Sequence, residues 1–282
     1  MKAIDMHVHI PRQPGLEKSD MEQTLRDYFK LDDSVENVEN MAKRYESMDM
    51  VGVLVSINSE TSTGEKGDSN DYISEIVTSY PGRFIGFAAI DPWQKKKSVE
   101  ELERAVKDLS LKGLKLHPVQ QAFYPNDEKF YPLYEKAMEL NIPVLFHSGM
   151  AASGSGMAGG GGMKLKYSAP IPGMDDVAAD FPNLTIIMAH PGWPWIEEQI
   201  AVALHKPNVY LDLSGWLPRY IPKQLIDEAN TRLQDKVLFG SDYPFITPDR
   251  WLKDWEQIPI KDEIQPKILY ENARRALHID DI

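Results

Sequence analysis

The chain carries DMHVHI at residues 5–10, two histidines spaced two apart inside an otherwise apolar run. Successive strand side chains point to opposite faces. A strand here therefore places Asp5, His7 and His9 in one polar column, with Ile4, Met6, Val8 and Ile10 on the other side. Two readings follow from this stretch alone. The histidines are a solvent-facing pair on an edge strand, or one rigid element holds two imidazoles as a chelate.

Seven further apolar runs continue the pattern: MVGVLVSI from Met50, FIGFAAI from Phe84, GLKLH from Gly113, PVLFH from Pro143, LTIIMAH from Leu184, VYLDLS from Val209 and VLFGSD from Val237. Several are almost continuously apolar, as expected of parallel strands covered on both faces. Helix-patterned stretches lie between them. SVEELERAVKDL opens with a capping box, Ser98 and Glu101, and repeats Leu102, Val106 and Leu109 at helical spacing. EKFYPLYEKAMEL, PWIEEQIAVAL and PKQLIDEANTRL follow, the last two with Pro194 and Pro222 at first-turn positions, and QPKILYENARRAL closes the series. Strand and helix alternating eight times predict a closed α/β barrel, a (β/α)8 TIM barrel in a single domain over residues 1–282, with a doubly wound open sheet as competitor. One segment breaks the rhythm. Residues 148–173, SGMAASGSGMAGGGGMKLKYSAPIPG, form a long glycine-rich loop after the fifth run, read as a lid over the substrate. It lacks the Gly-Lys-Ser/Thr of a phosphate-binding loop.

A net charge of −12 argues against nucleic acid or an anionic membrane surface as the main partner. The absence of cysteine removes disulfides, thiolate metal sites and cysteine nucleophiles, and fits a cytoplasmic location. Neither a signal peptide nor a run of membrane-spanning length is present in the sequence. The expected partner is a small-molecule substrate, with a homodimer as the allowed assembly.

Polar residues gather at the ends of the apolar runs. His117 lies in KLHP, His147 in LFHSG, His190 in MAHPG and Asp242 in GSDYP. In a (β/α)8 barrel the carboxyl ends of the strands converge on one mouth, where the chemistry is housed. Together, His7, His9, His147 and Asp242 supply three imidazoles and a carboxylate, suited to one zinc ion per chain, with manganese as the alternative. His190 then stands beside the ion to act on water or a substrate carbonyl, and Asp242 or His190 takes the proton. His205 and His278, near helix ends, are read as solvated.

These residues carry a resemblance. The D-x-H-x-H opening, the histidines ending runs five and six, the G-S-D-Y-P of run eight and the closing E-N-A-R-R resemble the amidohydrolase superfamily. More narrowly, the chain is similar to its amidohydrolase-related branch, which includes aminocarboxymuconate-semialdehyde decarboxylase. The resemblance implies a mononuclear site with His7, His9, His147 and Asp242 on the metal and His190 on water or substrate. That branch holds hydrolases of C–N, C–O and C–C bonds as well as non-oxidative decarboxylases. Binuclear members bridge two metals with a carboxylated strand-four lysine, which would here be Lys115. The alternatives for Lys115 are a partnership with barrel carboxylates such as Asp5, or contact with substrate.

For substrate binding the candidates are Lys115 and His117, Lys164, Lys166 and Tyr167 on the long loop, Arg219 after run seven, and a wall of Trp193, Trp195 and Trp216. The leading functional reading is a metal-dependent hydrolase of an acidic or acyl-CoA carbonyl compound. A metal-dependent decarboxylase is the runner-up; it needs a cation beside the carboxylate, and no arginine presents itself plainly. A catalytically silent metal-binding protein is the reading from another class.

Overall fold

The computed structural model describes residues 3–16, 20–31 and 37–279. Among the described residues nine strands run in chain order: β1 Ala3–His9, β2 Met50–Val55, β3 Phe84–Gly86, β4 Ala88–Ala89, β5 Leu114–Leu116, β6 Val144–His147, β7 Ile186–Ala189, β8 Val209–Asp212 and β9 Val237–Leu238. All neighbouring pairs are parallel, in the orders β1-β2-β3 and β4-β5-β6-β7-β8-β9.

The run FIGFAAI supplies both β3 and β4, broken at Phe87. Its amide donates to Leu54 O at 2.9 Å on one side, and the Ala88 amide to Gly113 O at 2.7 Å on the other. One stave thus joins the two sheets. At the opposite seam the Met6 amide donates to Phe239 O at 3.0 Å, Asp242 to His7 O at 3.0 Å and His9 to Tyr243 O at 2.7 Å. The eight staves therefore close into a (β/α)8 barrel, and the open-sheet alternative fails on these bonds.

Side-chain alternation sorts the core into two layers. Ile4, Met6, Val51, Val53, Leu145, Ile187 and Leu238 pack inside the barrel, capped by Ala273, Ala276 and Leu277 of the closing helix. Val8, Leu54, Leu114, Leu116, Val144, Phe146, Ile186, Met188 and Leu211 pack outward against the helical ring.

On β1 the simple alternation breaks. Asp5 pairs with Gly52 but Val8 with Leu54, so one residue is extra between them. This β-bulge turns His7 inward alongside Met6 and leaves Asp5 facing the helices. Asp5 Oδ2 accepts from the Tyr45 hydroxyl at 2.7 Å, and Oδ1 accepts from the Ser241 amide at 2.8 Å. The single Asp5–His7–His9 column expected from alternation is thereby corrected.

The helix over the SVEELERAVKDL stretch begins earlier, at Lys96, so Ser98 lies within its first turn and donates to Asp91 O at 2.6 Å. Glu101 instead takes Asn70 Nδ2 at 2.7 Å and Arg104, and the expected capping box does not form. Among the described residues no helix is long and apolar enough to cross a membrane.

Candidate metal centre

Five strand ends deliver the polar residues to the barrel mouth. A cavity of about 1030 Å³ opens there, its floor formed by His7, His9, Lys115, His117, His147, His190 and Asp242. All but His9 are buried. The β strands fix most of these by alternation. His190 and Asp242 arrive differently, each with a positive φ, 68° and 69°. Left-handed backbone at a non-glycine residue costs of order 1–3 kcal/mol and persists where the surroundings hold it. Here it turns the first residue after β7, and the second after Gly240, into the mouth.

Two imidazoles and a carboxylate meet at the centre. Asp242 Oδ1 lies 3.2 Å from His9 Nε2 and 3.7 Å from His7 Nε2. One ligand atom each of His7, His190 and Asp242 fit within 4.8 Å of one another. The His147 ring lies 4.7 Å from that of His190 and stacks on His117 at 3.9 Å. Two buried atoms of this group, His147 Nε2 and Asp242 Oδ1, make no hydrogen bond. Buried polar atoms are ordinarily satisfied, so an imidazole nitrogen and a carboxylate oxygen left open on one cavity floor fit a cation bound there. The donor set, imidazoles and one carboxylate without thiolate, suits a divalent first-row ion. Distance brings His7 and His9 to Asp242 Oδ1 and sets His190 as close to His7 and Asp242 as a ligand would be, whereas His147 lies outside that group.

The electrostatics favour neutral, ligand-ready rings. Burial lowers His7, His117 and His147 well below the ordinary imidazole value, with the Lys115 charge adding to the effect. His190 is pushed down to about 4 by burial, against the opposing pull of Asp242. Burial raises Asp242, but contact with His9 and the nearby His190 and Lys115 hold its carboxyl below the usual value. His117 Nδ1 accepts from the Gln120 amide at 3.2 Å, so the neutral ring carries its proton on Nε2 and is a donor rather than a ligand.

Lys115 is almost fully buried, with Nζ 3.2 Å from His7 Nε2. Burial pushes it down to about 8, opposed by Asp242 and Asp212. Those two, not Asp5, are its carboxylate neighbours.

The remaining substrate candidates lie off the cavity. Of the long loop only Ala152 and Ser153 line it. The loop is pinned at its base, with Gly149 N donating to Ser168 O at 3.0 Å and Met150 N to Trp193 O at 2.7 Å. Ser168 Oγ also donates to Leu165 O at 2.8 Å, which turns residues 164–167 outward. Lys166 Nζ sits 5.2 Å from the centre of the Tyr124 ring and 5.5 Å from that of Tyr167, and neither Lys164 nor Tyr167 lines the cavity. Arg219 Nε donates to Asp254 at 2.6 Å. Trp193 is 48% exposed, and Trp216 packs on the outer core. The outer cavity wall comes instead from residues 10–16, helix Asp20–Phe29 and residues 65–68, and includes Arg12, Phe29, Lys66, Tyr72 and Phe245.

Sequence reasoning passed over Asp212 and Ser214. Both are fully buried behind the imidazoles, with Asp212 Oδ2 3.0 Å from His7 Nδ1. Burial pushes Asp212 up to about 7, against lowering hydrogen bonds from Ser214. Their signal was present in LDLSG, polar residues at a strand end like those that identified the histidines.

This barrel and its histidine-carboxylate mouth agree with the family match. The chain belongs to the amidohydrolase family, whose model covers residues 4–279, and is a metal-dependent enzyme of that superfamily. It is 24% identical to gamma-resorcylate decarboxylase of Polaromonas sp. over 249 residues, 75% of this chain and 76% of that one. To 2-amino-3-carboxymuconate-6-semialdehyde decarboxylase of Dictyostelium discoideum it is 26% identical over 237 residues, 75% of this chain and 66% of the relative. An uncharacterised TIM-barrel protein of Bordetella bronchiseptica superposes with a TM-score of 0.82 at 27% identity, covering 99% of both chains.

Proposed function

We propose that the protein removes CO2 without oxidation from a small carboxylic acid, using one divalent ion, zinc in the first instance with manganese as the alternative. The observation that carries this reading is Lys115, a buried lysine whose Nζ lies 3.2 Å from His7 Nε2 on the cavity floor. A decarboxylase needs a cation beside its substrate's anionic groups, and Lys115 supplies it within reach of the ligand cluster. Similarity to two decarboxylases supports the same choice over hydrolysis.

In this reading His7, His9, His147 and Asp242 hold the ion, and its Lewis acidity makes the substrate carbon a better acceptor of electrons. Lys115 orients the substrate through its anionic oxygens, with His117 Nε2–H as a second donor. The bond between carbon and carboxylate breaks, CO2 departs, and the electron pair stays on carbon. A proton taken from water and relayed through the unprotonated Nε2 of His190 then goes to that carbon in place of the CO2. The small-molecule substrate is the proposed partner, and a homodimer in the cytoplasm the proposed setting.

Hydrolysis remains the second reading, favoured by one observation. His190 is held through Nδ1 by the Ser214 carbonyl at 3.1 Å, which leaves Nε2 open beside Asp242 to take a proton from water. Mass spectrometry of metal-loaded protein with aromatic and unsaturated carboxylates, lactones and acyl thioesters separates the two. Loss of CO2 from a carboxylate is expected; addition of water with no CO2 released would replace this proposal by the hydrolase.

A further inference from the structure

We propose that Asp212 and Ser214 act as one positioning pair, holding His7 and His190 in the tautomer that turns each Nε2 lone pair, rather than a proton, toward the cavity. The inference deepens the metal-centre reading and rests on it for its consequence, though not for its geometry.

The protons can be counted. Ser214 Oγ has a single hydrogen and donates it to Asp212 Oδ2 at 2.9 Å. The same Oγ lies 2.9 Å from His190 Nδ1 and 3.1 Å from His7 Nδ1, where its lone pairs can only accept. The Ser214 carbonyl, an acceptor by nature, stands 3.1 Å from His190 Nδ1, and Asp212 Oδ2 stands 3.0 Å from His7 Nδ1. With Asp212 ionised, every partner on the inner edge of the two rings is an acceptor, so both rings carry their proton on Nδ1. On the outer edge of His7, the Lys115 ammonium donates to Nε2, which agrees.

The pair is locked in place. Asp212 Oδ1 accepts from the Ser214 amide at 2.6 Å. A Cβ at Gly240 would stand 2.3 Å from Asp212 Oδ1, and one at Gly215, where φ is +76°, 2.7 Å from His190 Nδ1. Only glycine allows the backbone to close on this unit. Neither Asp212 nor Ser214 lines the cavity, so both act through the imidazoles. A carboxylate behind a ligating histidine fixes its tautomer and raises its basicity.

The test uses two near-isosteric variants, Asp212→Asn and Ser214→Ala, with two readouts on the whole protein. Nitrogen-15 NMR of the metal-free protein at mildly alkaline pH reads the tautomers, and competition titration with Zn2+ reads affinity. Wild type should show His7 and His190 as Nδ1–H. In Asp212→Asn the His7 signal should move toward the Nε2–H form and Zn2+ affinity should fall about 10- to 100-fold, while metal-free melting changes little. In Ser214→Ala the His190 signal should move. Unchanged tautomers in both variants, or Nε2–H rings in wild type, overturn the proposal. So does Zn2+ loss in step with a fall in metal-free stability at an unchanged tautomer, since that marks a structural role. Wild type with Nδ1–H rings but no Zn2+ affinity would support the positioning pair and overturn the metal reading instead.

Discussion

Asp5 and His7 stand two residues apart on β1 yet face opposite sides of the barrel wall. Asp5 Oδ2 accepts from Tyr45 on the surrounding helix Val38–Ser47 at 2.7 Å, while His7 Nε2 lies 3.2 Å from Lys115 inside. The bulge between them divides the labour of the opening motif. Its histidines face the chemistry, and its carboxylate ties β1 to Ser241 on the segment that closes the barrel.

Asp5→Ala should therefore damage the fold before the site. It removes acceptors for Tyr45 Oη, Ser241 N and Ser241 Oγ, all buried. Denaturant unfolding should show a loss of about 2–4 kcal/mol, typical of donors left unsatisfied in a core. Metal content of the protein that remains folded should be unchanged; a stable variant without metal would show that Asp5 serves the ion.

Lys115→Met keeps bulk and removes the cavity-floor cation. We expect kcat/KM to fall about 10- to 100-fold, equivalent to one charge-assisted contact of roughly 1.5–3 kcal/mol. Metal stoichiometry by elemental analysis should stay at the wild-type value. Activity unchanged in this variant would remove the main support for decarboxylation.

Replacing Lys164 and Lys166 together with Met should leave KM within about twofold, below the roughly tenfold expected of one lost ion contact. The sequence predicts the opposite, a lid whose lysines hold an anion, but the pinned loop points them away from the cavity. Steady-state kinetics on the double variant decides it.

Arg219→Met should lower stability and spare catalysis. Its guanidinium serves Asp254, which is buried, and Asp254 Oδ2 also accepts the Arg219 amide at 2.8 Å. Burial raises the Asp254 carboxyl, but the Arg219 bonds hold it below its ordinary 3.8. A depressed native pKa stabilises the fold above the unfolded value, and that contribution is lost as pH falls through the native one. The variant should melt slightly lower near neutrality, the effect modest because Arg219 is largely exposed, and should show a shallower acid limb below about pH 4. Equal acid limbs in melts of the two proteins would contradict this.

The barrel was legible because its evidence is periodic. Eight apolar runs separated by helical patterns need no side-chain detail, and His117, His147, His190 and Asp242 were placed at the mouth by the strand-end rule, with Lys115 entering only through the family resemblance. The bulge was not legible. An inserted residue at Met6–His7 leaves the apolar-polar alternation of the letters intact while changing which residues share a face. The break at Phe87 was hidden in the same way within one continuous run. Charge misled in the long loop, where lysines beside the fifth strand looked like substrate ligands. The segment after β1, carrying Arg12, lines the cavity instead. Asp212 and Ser214 were missed because they have no ligand spacing of their own; they matter through His7 and His190.

The central claim is a single divalent ion held by β1's two histidines together with His147 and Asp242. Anomalous diffraction at the absorption edge of the bound metal tests it most directly. We expect one peak per chain, with His7, His9, His147 and Asp242 at about 2.0–2.2 Å and His190 outside that shell. A peak ligated by His190 with His147 left free would reverse the two roles, and two peaks bridged by a carboxylated Lys115, or no peak in the cluster after reconstitution, would contradict the mononuclear site.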